Sequence, residues 1–288
     1  MVSRREARLT LRQQLQEGGL ESPDFEAACL LEHVLGTSCR LMTRQQLEEP
    51  LTGEQAAALH ALTRRRLEGE PLQYLLGEWE FYGLPFRVGP GVLIPRQDTE
   101  TLVECALRAA KDLSAPKILD LCAGSGCIGI ALAHCLPHAR ITAVEQSADA
   151  LRYLQENAAL NRTPLHIVKG DVLDPALAES IRGVDVIVSN PPYLTEADLA
   201  ALQKEVQFEP RAALDGGQDG LLFYRELPAL WQESLNPGGR LLFEIGMGQE
   251  AAVSDFLTYA GYENIESFPD LAGISRVVSG MRPAGARR

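Results

Sequence analysis

Ile118-Leu119-Asp120-Leu121-Cys122-Ala123-Gly124-Ser125-Gly126-Cys127-Ile128-Gly129 runs from a short apolar stretch through a glycine turn into a second apolar pattern. That order reads as a strand, a tight loop and a helix start, the opening unit of a parallel α/β sheet. Gly124 and Gly126 let the backbone approach a ligand closely and adopt dihedrals that other residues avoid. About twenty residues further on, Glu145 ends the next strand pattern, where an acidic side chain accepts hydrogen bonds from ribose hydroxyls. Together these residues predict a nucleoside-binding unit. Gly124-x-Gly126-x-x-Gly129 also matches the dinucleotide fingerprint, a weak signal by itself, so a nicotinamide or flavin enzyme stands as a rival at this point.

Working outward, strand patterns at 140–144, 165–169, 184–189 and 240–245 join the one at 117–121, and helical patterns lie near 128–135, 148–157, 199–206 and 221–235. The alternation predicts an α/β domain with a doubly wound, Rossmann-like sheet. After a helical pattern at 249–260, β-rich runs at 262–268 and 274–279 are close enough for a hairpin, which predicts an antiparallel C-terminal edge. Upstream, apolar residues recur at helical spacing: Leu9, Leu11 and Leu15; Phe25, Ala28, Leu31 and Leu35; Ala58, Leu59, Leu62 and Leu67. These predict a small helical bundle, with helix starts at Ser22-Pro23-Asp24 and Thr52-Gly53-Glu54 and ends at Gly36 and Gly69. The aromatic, turn-rich run from Trp79 to Val88 suggests a β-hairpin linker. The expected division is a helical domain over 1–72, a linker over 73–95 and the sheet domain over 96–288.

Composition narrows the function. The 288 residues are 45% apolar, enough for a full core, and carry a formal charge of −12. Such a chain lacks the basic footprint of a protein that tracks phosphates. Arg64-Arg65-Arg66, and Arg282 with Arg287 and Arg288, read as a solvated helix face and a tail. Six cysteines are scattered without a Cys-x-x-Cys pair or clustered histidines, so no metal site is expected. No apolar run reaches membrane-spanning length, and a soluble cytoplasmic protein is the simplest expectation.

Val184-Asp185-Val186-Ile187-Val188-Ser189 is a buried-strand pattern, and Asn190-Pro191-Pro192-Tyr193 follows it directly. The tetrapeptide therefore sits at the carboxyl end of a strand, where open α/β sheets bind their ligands. Two prolines fix φ and contribute no N–H, which leaves neighbouring carbonyls free to face a ligand. With an amide before them and an aromatic ring after, they make a rigid acceptor pair with a stacking surface, suited to a planar –NH2 group. Alone, the tetrapeptide is equally an Asn-Pro turn. Beside the glycine loop, it favours S-adenosylmethionine, a methyl donor next to an amino acceptor. Asp120 adds to this, placed to order the loop or to meet the cationic end of a methionine moiety.

The Asp120 to Gly126 loop, Glu145, Gly170-Asp171 and Asn190-Pro191-Pro192-Tyr193 resemble the class I S-adenosylmethionine-dependent methyltransferases that methylate planar amino groups. Pro71-x-x-Tyr74-x-x-Gly77, Phe81-Tyr82-Gly83, Ile94-Pro95-Arg96-x-Asp98-Thr99-Glu100, Phe208-Glu209-Pro210-Arg211 and Leu214-x-Gly216-Gly217-x-Asp219-Gly220 extend the resemblance over nearly the whole chain. These motifs are similar to those of the release-factor glutamine methyltransferases of the HemK type. The resemblance implies methyl transfer to the side-chain amide nitrogen (N5) of the glutamine in the Gly-Gly-Gln loop of class 1 peptide chain release factors, modulating translation termination. S-adenosylhomocysteine would be the product. By the same resemblance Cys122, Ala123, Gly124, Ser125 and Gly126 would wrap the methionine portion, Glu145 the ribose, and Asp171 with Val172 the adenine, with Asp120 counted among the cofactor-binding residues. Asn190, Pro191, Pro192 and Tyr193 would bind the target amide; of these, Asn190, Pro191 and Tyr193 would be catalytic, and Asn190 would also border the cofactor. The helical domain would dock the release factor, with no direct nucleic acid, no membrane, and a monomeric enzyme. Glu145 stands where the family often has Asp, and Val172 where a larger aromatic often flanks adenine.

Three rivals remain from the residues. An adenine-N6 methyltransferase would need to flip its base and hold phosphates, against the acidic balance. A nicotinamide oxidoreductase and a catalytically silent cofactor-binding module complete the set. Among other residues, Asp98 and Glu100 could shape the methionine-binding mouth, although Asp98-Thr99-Glu100 reads rather as a helix N-terminus, and Arg96 could assist substrate docking but reads first as a local salt-bridge partner. His33, His60, His134, His138 and His166 are dispersed and have no expected role. Gly216-Gly217-Gln218 imitates the target motif, but a glycine turn accounts for it.

Overall fold

The computed structural model describes residues 2–285, so Arg287 and Arg288 lie outside the described residues. The chain divides into two compact units, one of Met1–Glu78 with Gln203–Phe208, the other of Trp79–Leu202 with Glu209–Arg288. No helix among the described residues is long and apolar enough to cross a membrane.

The smaller unit contains α1 (Arg4–Glu17), α2 (Pro23–Leu35), α3 (Arg44–Glu48), α4 (Gly53–Leu67) and α5 (Leu72–Leu76). Capping boxes start α1 and α4: Ser3 pairs with Glu6, and Thr52 with Gln55. Ser22 makes no side-chain cap; α2 opens instead on Pro23, whose missing N–H is no loss in a first turn, and ends on Gly36 at φ +66°. Ala7, Leu11 and Leu15 form the buried stripe of α1, while Leu9 and Phe25, inward by spacing, are exposed. The largest departure concerns Arg66, expected on a solvated face. It is buried, and its guanidinium donates to Glu26 at 2.6 and 3.0 Å and to Glu205 at 2.6 Å. Arg64 and Arg65 pair with Glu68 and Glu70 on the exposed side.

The larger unit starts at Trp79, within a hairpin of β1 (Glu78–Phe81) and β2 (Leu84–Arg87). Phe81 and Phe86 meet edge-on at 6.0 Å and are buried in the main core, so this ribbon is a packed part of the large unit. Then come α6 (Glu100–Ala110), β3 (Lys117–Leu121), α7 (Cys127–Cys135), β4 (Arg140–Glu145), α8 (Ala148–Leu160), β5 (His166–Lys169), α9 (Pro175–Ser180) and β6 (Val184–Ser189). The remainder is α10 (Glu196–Ala200), α11 (Leu222–Trp231), β7 (Leu235–Glu244), α12 (Glu250–Tyr259), β8 (Glu263–Pro269) and β9 (Ser275–Met281).

Seven strands form one sheet in the order β5-β4-β3-β6-β7-β9-β8. The first five are parallel, and β9 joins β7 antiparallel, with β8 outside it. The expected doubly wound sheet with an antiparallel edge is what forms. Chain order runs outward from β3 to β5 and then returns to β6 on the opposite side of β3, so the topological switch lies between β3 and β6. The helix expected at 199–206 does not form as such: Thr195 and Asp198 make a capping box that starts α10 early, and the helix ends at Ala200. Arg282, expected in a solvated tail, is instead tied to Glu233 by two contacts of 2.8 Å.

Candidate functional site

The carboxyl ends of β3 and β6 flank the switch point, with Leu121 paired to Ser189. Ser189 donates its hydroxyl to the Leu121 carbonyl at 2.9 Å, which locks the two strand ends before each chain turns into a loop. After β3 the backbone takes three left-handed positions, Cys122 at φ +62°, Gly124 at +55° and Gly126 at +82°. A β-carbon on Gly126 would lie 2.2 Å from a Leu154 methyl, whereas one on Gly124 would meet nothing within 4 Å. Gly126 is thus a packing requirement, and Gly124 faces open space. Cys122, with a side chain in the sparsely allowed left-handed region, is the strained member.

Asp120 sits below this loop with no exposure. Its Oδ2 accepts from the Gly129 N–H at 3.0 Å and its Oδ1 has no hydrogen-bond partner among the described residues, so the carboxylate holds the first turn of α7. Burial pushes its pKa up to about 7, against the pull of the Gly129 N–H and with Glu145 adding repulsion. Glu145, at the end of β4, accepts from Gly124 N–H at 2.8 Å through Oε2 and from Ser147 N–H at 2.7 Å through Oε1. Each oxygen keeps a second lone pair for a ligand hydroxyl.

A cavity of about 330 Å³ opens here, within the range of small-ligand sites. Of the residues singled out from sequence, Cys122, Gly124, Glu145, Val172, Asn190 and Pro192 line it. Asp120, on β3, and Ala123, Ser125 and Gly126, in the loop after it, are not among the lining residues. Asp171 is exposed, with Oδ1 accepting from the Leu173 N–H at 2.9 Å, while Val172 is buried and its carbonyl accepts from the Trp231 indole at 2.8 Å. The open cradle at Gly124 and the bidentate Glu145 suit a nucleoside, so the residues present fit the cofactor expected from sequence.

Asn190 borders the cavity from the β6 side, Pro191 and Pro192 are buried, and Tyr193 is half-buried with its phenol pushed up to about 12 by burial. The glycine loop that imitates a target motif is the brace of this turn. Leu194 N–H donates to Leu214 at 2.9 Å and Gly216 N–H donates to Leu194 at 2.9 Å. A β-carbon on Gly216 would lie 2.7 Å from the Tyr193 Cα, and one on Gly220 would lie 2.4 Å from the Tyr193 carbonyl oxygen. Gln218 is exposed.

Comparison with known proteins agrees with this geometry. The PrmC N-terminal domain matches residues 6–77 and the methyltransferase small domain matches residues 97–228. A release factor glutamine methyltransferase of Geobacter sulfurreducens is 46% identical over 267 residues, covering 92% of each chain. Those of Moorella thermoacetica and Burkholderia pseudomallei are 43% and 41% identical, covering 93% and 90% of this chain and 97% and 92% of their own. The chain belongs to the release factor glutamine methyltransferases. A methyltransferase from Pyrococcus furiosus shares the fold, with a TM-score of 0.51 at 17% identity over 70% of this chain and 91% of its own. So does the T. thermophilus 16S rRNA N2 G1207 methyltransferase solved with AdoMet and guanosine, with a TM-score of 0.52 at 20% identity over 71% of this chain and 49% of its own.

In this family member, several residues not assigned to the site from sequence make contacts around it. Asn157 on α8 is fully buried; it accepts from Arg87 N–H at 2.6 Å and donates to the carbonyls of Arg87 at 3.1 Å and Ser125 at 3.0 Å, joining the hairpin to the glycine loop. Glu209 is buried, accepting from Ile94 N–H at 3.1 Å and from Arg96. Arg96 does make a salt bridge, with this residue far along the chain and not with a sequence neighbour. Gln249 donates to the Tyr193 carbonyl at 3.0 Å and to that of Gly220 at 3.2 Å. Thr99 stands in a helix-start pattern, yet its side chain makes no cap hydrogen bond; it is buried and lies 3.4 Å from Asn190 Nδ2. Asp98 and Glu100 are likewise engaged elsewhere, with Arg276 at 3.0 Å and with the Tyr82 N–H at 3.0 Å.

Proposed function

We propose that the chain transfers a methyl group from S-adenosylmethionine to the side-chain amide nitrogen (N5) of the glutamine in the Gly-Gly-Gln motif of class 1 peptide chain release factors. One observation carries this reading: Asn190 and Pro192 line the same cavity as Gly124 and Glu145, so an amino acceptor and a nucleoside cofactor would share one chamber. Membership of the family supplies the substrate class, and the acidic chain, at −12, speaks for a protein partner over nucleic acid. The helical unit is assigned to docking of the release factor.

S-adenosylmethionine supplies an electrophilic methyl on a sulfonium and leaves as S-adenosylhomocysteine. Gly124 and Cys122 would border its methionine portion, Glu145 would accept from the ribose hydroxyls, and Val172 would floor the adenine, with Asp120, Ala123, Ser125 and Gly126 holding the loop in shape. An amide nitrogen is a poor nucleophile because its lone pair is delocalised into the carbonyl. Asn190 Oδ1 and the Pro191 carbonyl would accept both N–H groups of the substrate amide, raising electron density on nitrogen and fixing its direction. Tyr193 would pack on the amide plane, and Pro191 and Pro192 keep the turn rigid. Orientation of this kind accounts for about 7 to 11 kcal/mol of a barrier. Once the N–C bond forms, the acidic nitrogen releases its proton to water, so no strong general base is required.

The test is transfer of labelled methyl from the cofactor to intact release factor. Label is expected on the wild-type factor and absent from one whose motif glutamine is alanine. Label on that variant, or on DNA or RNA in its place, would overturn the assignment, as would calorimetric binding of NAD in preference to S-adenosylmethionine.

A further inference from the structure

Glu244 closes β7 beside the end of β6, in the register that pairs Ser189 with Phe243. Its carboxylate is buried, and Oε2 has no hydrogen-bond partner among the described residues. A carboxylate at the end of an apolar core strand is costly to bury and calls for a compensating use. The Thr99 hydroxyl and the Asn190 carboxamide lie beside it, both favouring its charged form by hydrogen bonding. Asn190 Nδ2 also donates to Thr99 Oγ1 at 3.4 Å.

An ionised carboxylate only accepts, and a carboxamide has one accepting and one donating end. Facing Glu244, Asn190 must therefore turn its NH2 inward, which leaves Oδ1 for the cavity that Asn190 lines. Reversed, Asn190 would present NH2 to a substrate NH2, donor against donor. We propose that Glu244 and Thr99 are positioning residues that fix which end of the Asn190 carboxamide faces the methyl-accepting amide. The proposal rests on the methyl-transfer reading of this site.

The charge on Glu244 is then a control. Burial raises its pKa to about 7, against the hydrogen bond from Thr99, with Asp98 adding to the rise and Arg276 and Asn190 opposing it. The other ionisable groups that sense it are Tyr193 after β6, Tyr224 on α11 and Cys127 on α7, all pushed up by burial and neutral at physiological pH. Protonated, Glu244 gains a donor and no longer enforces the Asn190 orientation. Activity should therefore rise with pH through about 7.

The experiment compares wild type, Glu244→Gln, Thr99→Val and Thr99→Ser in labelled methyl transfer to release factor between about pH 6 and 9, with calorimetry of S-adenosylmethionine and melting temperatures alongside. Glutamine keeps the size of Glu244 but offers a donor at every pH. It should lower kcat about tenfold or more at high pH, the scale of one charge-assisted hydrogen bond, with cofactor affinity unchanged and the rise through pH 7 abolished. Thr99→Val should lose kcat and Thr99→Ser keep most of it, which a packing role alone would not produce. Wild-type kcat in Glu244→Gln, or survival of the same pH rise, would overturn the proposal. Nitrogen NMR of the Asn190 carboxamide, followed against pH, reads the pairing without turnover. It should titrate near 7 in wild type and not in Glu244→Gln, and absence of that difference would also overturn it. An enzyme whose amide titrates but which leaves release factor unlabelled would instead refute the methyl-transfer reading.

Discussion

Asp120→Asn separates the electrostatic cost of the cofactor loop from its hydrogen bonding. Asp120 is fully buried, and the hydrogen bond that its carboxylate accepts from the Gly129 N–H, at 3.0 Å, is available equally to a carboxamide oxygen. What changes is the charge. The carboxyl titrates at about 7 in the folded protein against an ordinary 3.8, so between those values the folded state holds a proton that the unfolded chain has released. A raised carboxyl pKa contributes stability that is complete below 3.8 and is lost as pH rises through about 7. At about 1.4 kcal/mol per tenfold, raising the pH from 5 to 8 costs wild type about 2 to 3 kcal/mol at this one residue.

A carboxamide does not titrate, so the stability of the Asp120→Asn variant relative to wild type should improve by about 2 to 3 kcal/mol over the same interval. Glu244, which also titrates near 7, is present in both proteins and cancels in the difference. At pH 5 the variant should be the weaker, because its NH2 buries two donors where the protonated carboxyl buries one, at a position with no partner among the described residues, at about 1 to 3 kcal/mol. Near pH 8 the two should converge or cross. Urea unfolding at a series of pH values, with m held constant between the proteins, gives the comparison directly. Parallel stability curves from pH 5 to 8 would refute the assignment of a destabilising buried charge beneath the glycine loop. Cofactor affinity should survive the change, since the Gly129 anchor survives.

Asn190→Ala should cut kcat for release-factor methylation by about a hundredfold while leaving S-adenosylmethionine affinity nearly intact, because it removes an orienting acceptor; near wild-type turnover would sink the role given to Asn190. Gly216→Ala places a methyl 2.7 Å from the Tyr193 Cα and 2.9 Å from the Pro192 carbonyl oxygen, so the turn must shift; kcat should drop more than melting temperature, and unchanged kinetics would show the brace to be dispensable. Arg66→Ala strands the buried Glu26 carboxylate and should destabilise the helical unit by about 3 to 5 kcal/mol in urea titration, whereas Arg64→Ala on the same helix should cost less than about 0.5 kcal/mol.

The sheet was legible because parallel strands are buried on both faces and appear as continuous apolar runs, as at Val184–Ser189. The loop after β3 and the turn after β6 were legible as local structure for a related reason: each is written in consecutive residues at a strand end. What sequence could not place were side chains whose partners are distant. Arg64, Arg65 and Arg66 are identical as letters, and only the fold brings Glu26 and Glu205, 40 and 139 residues away, to the third of them. Thr99 followed by an acidic residue and an apolar pattern is locally a good helix start, and that local preference lost to a tertiary contact with Asn190, 91 residues on.

Glu244 is the instructive case, because a signal for it did exist. Leu241-Leu242-Phe243-Glu244-Ile245 places one carboxylate inside an otherwise apolar run that periodicity assigns to a core strand. Such a residue is almost never buried without a compensating partner. A strand next to β6 would carry it to the same sheet edge as Asn190, where ligands gather in this fold class. Periodicity alone scores the run as a strand and passes over its exception, yet in an apolar core strand the exception is the residue with something to explain. The same test, applied to β3, singles out Asp120, also a lone carboxylate in an apolar run and also buried toward the carboxyl end of its strand. In both strands the break in pattern points to the ligand-binding end of the sheet, so the hydrophobic pattern that defines the fold also marks, by its interruptions, where the fold places its chemistry.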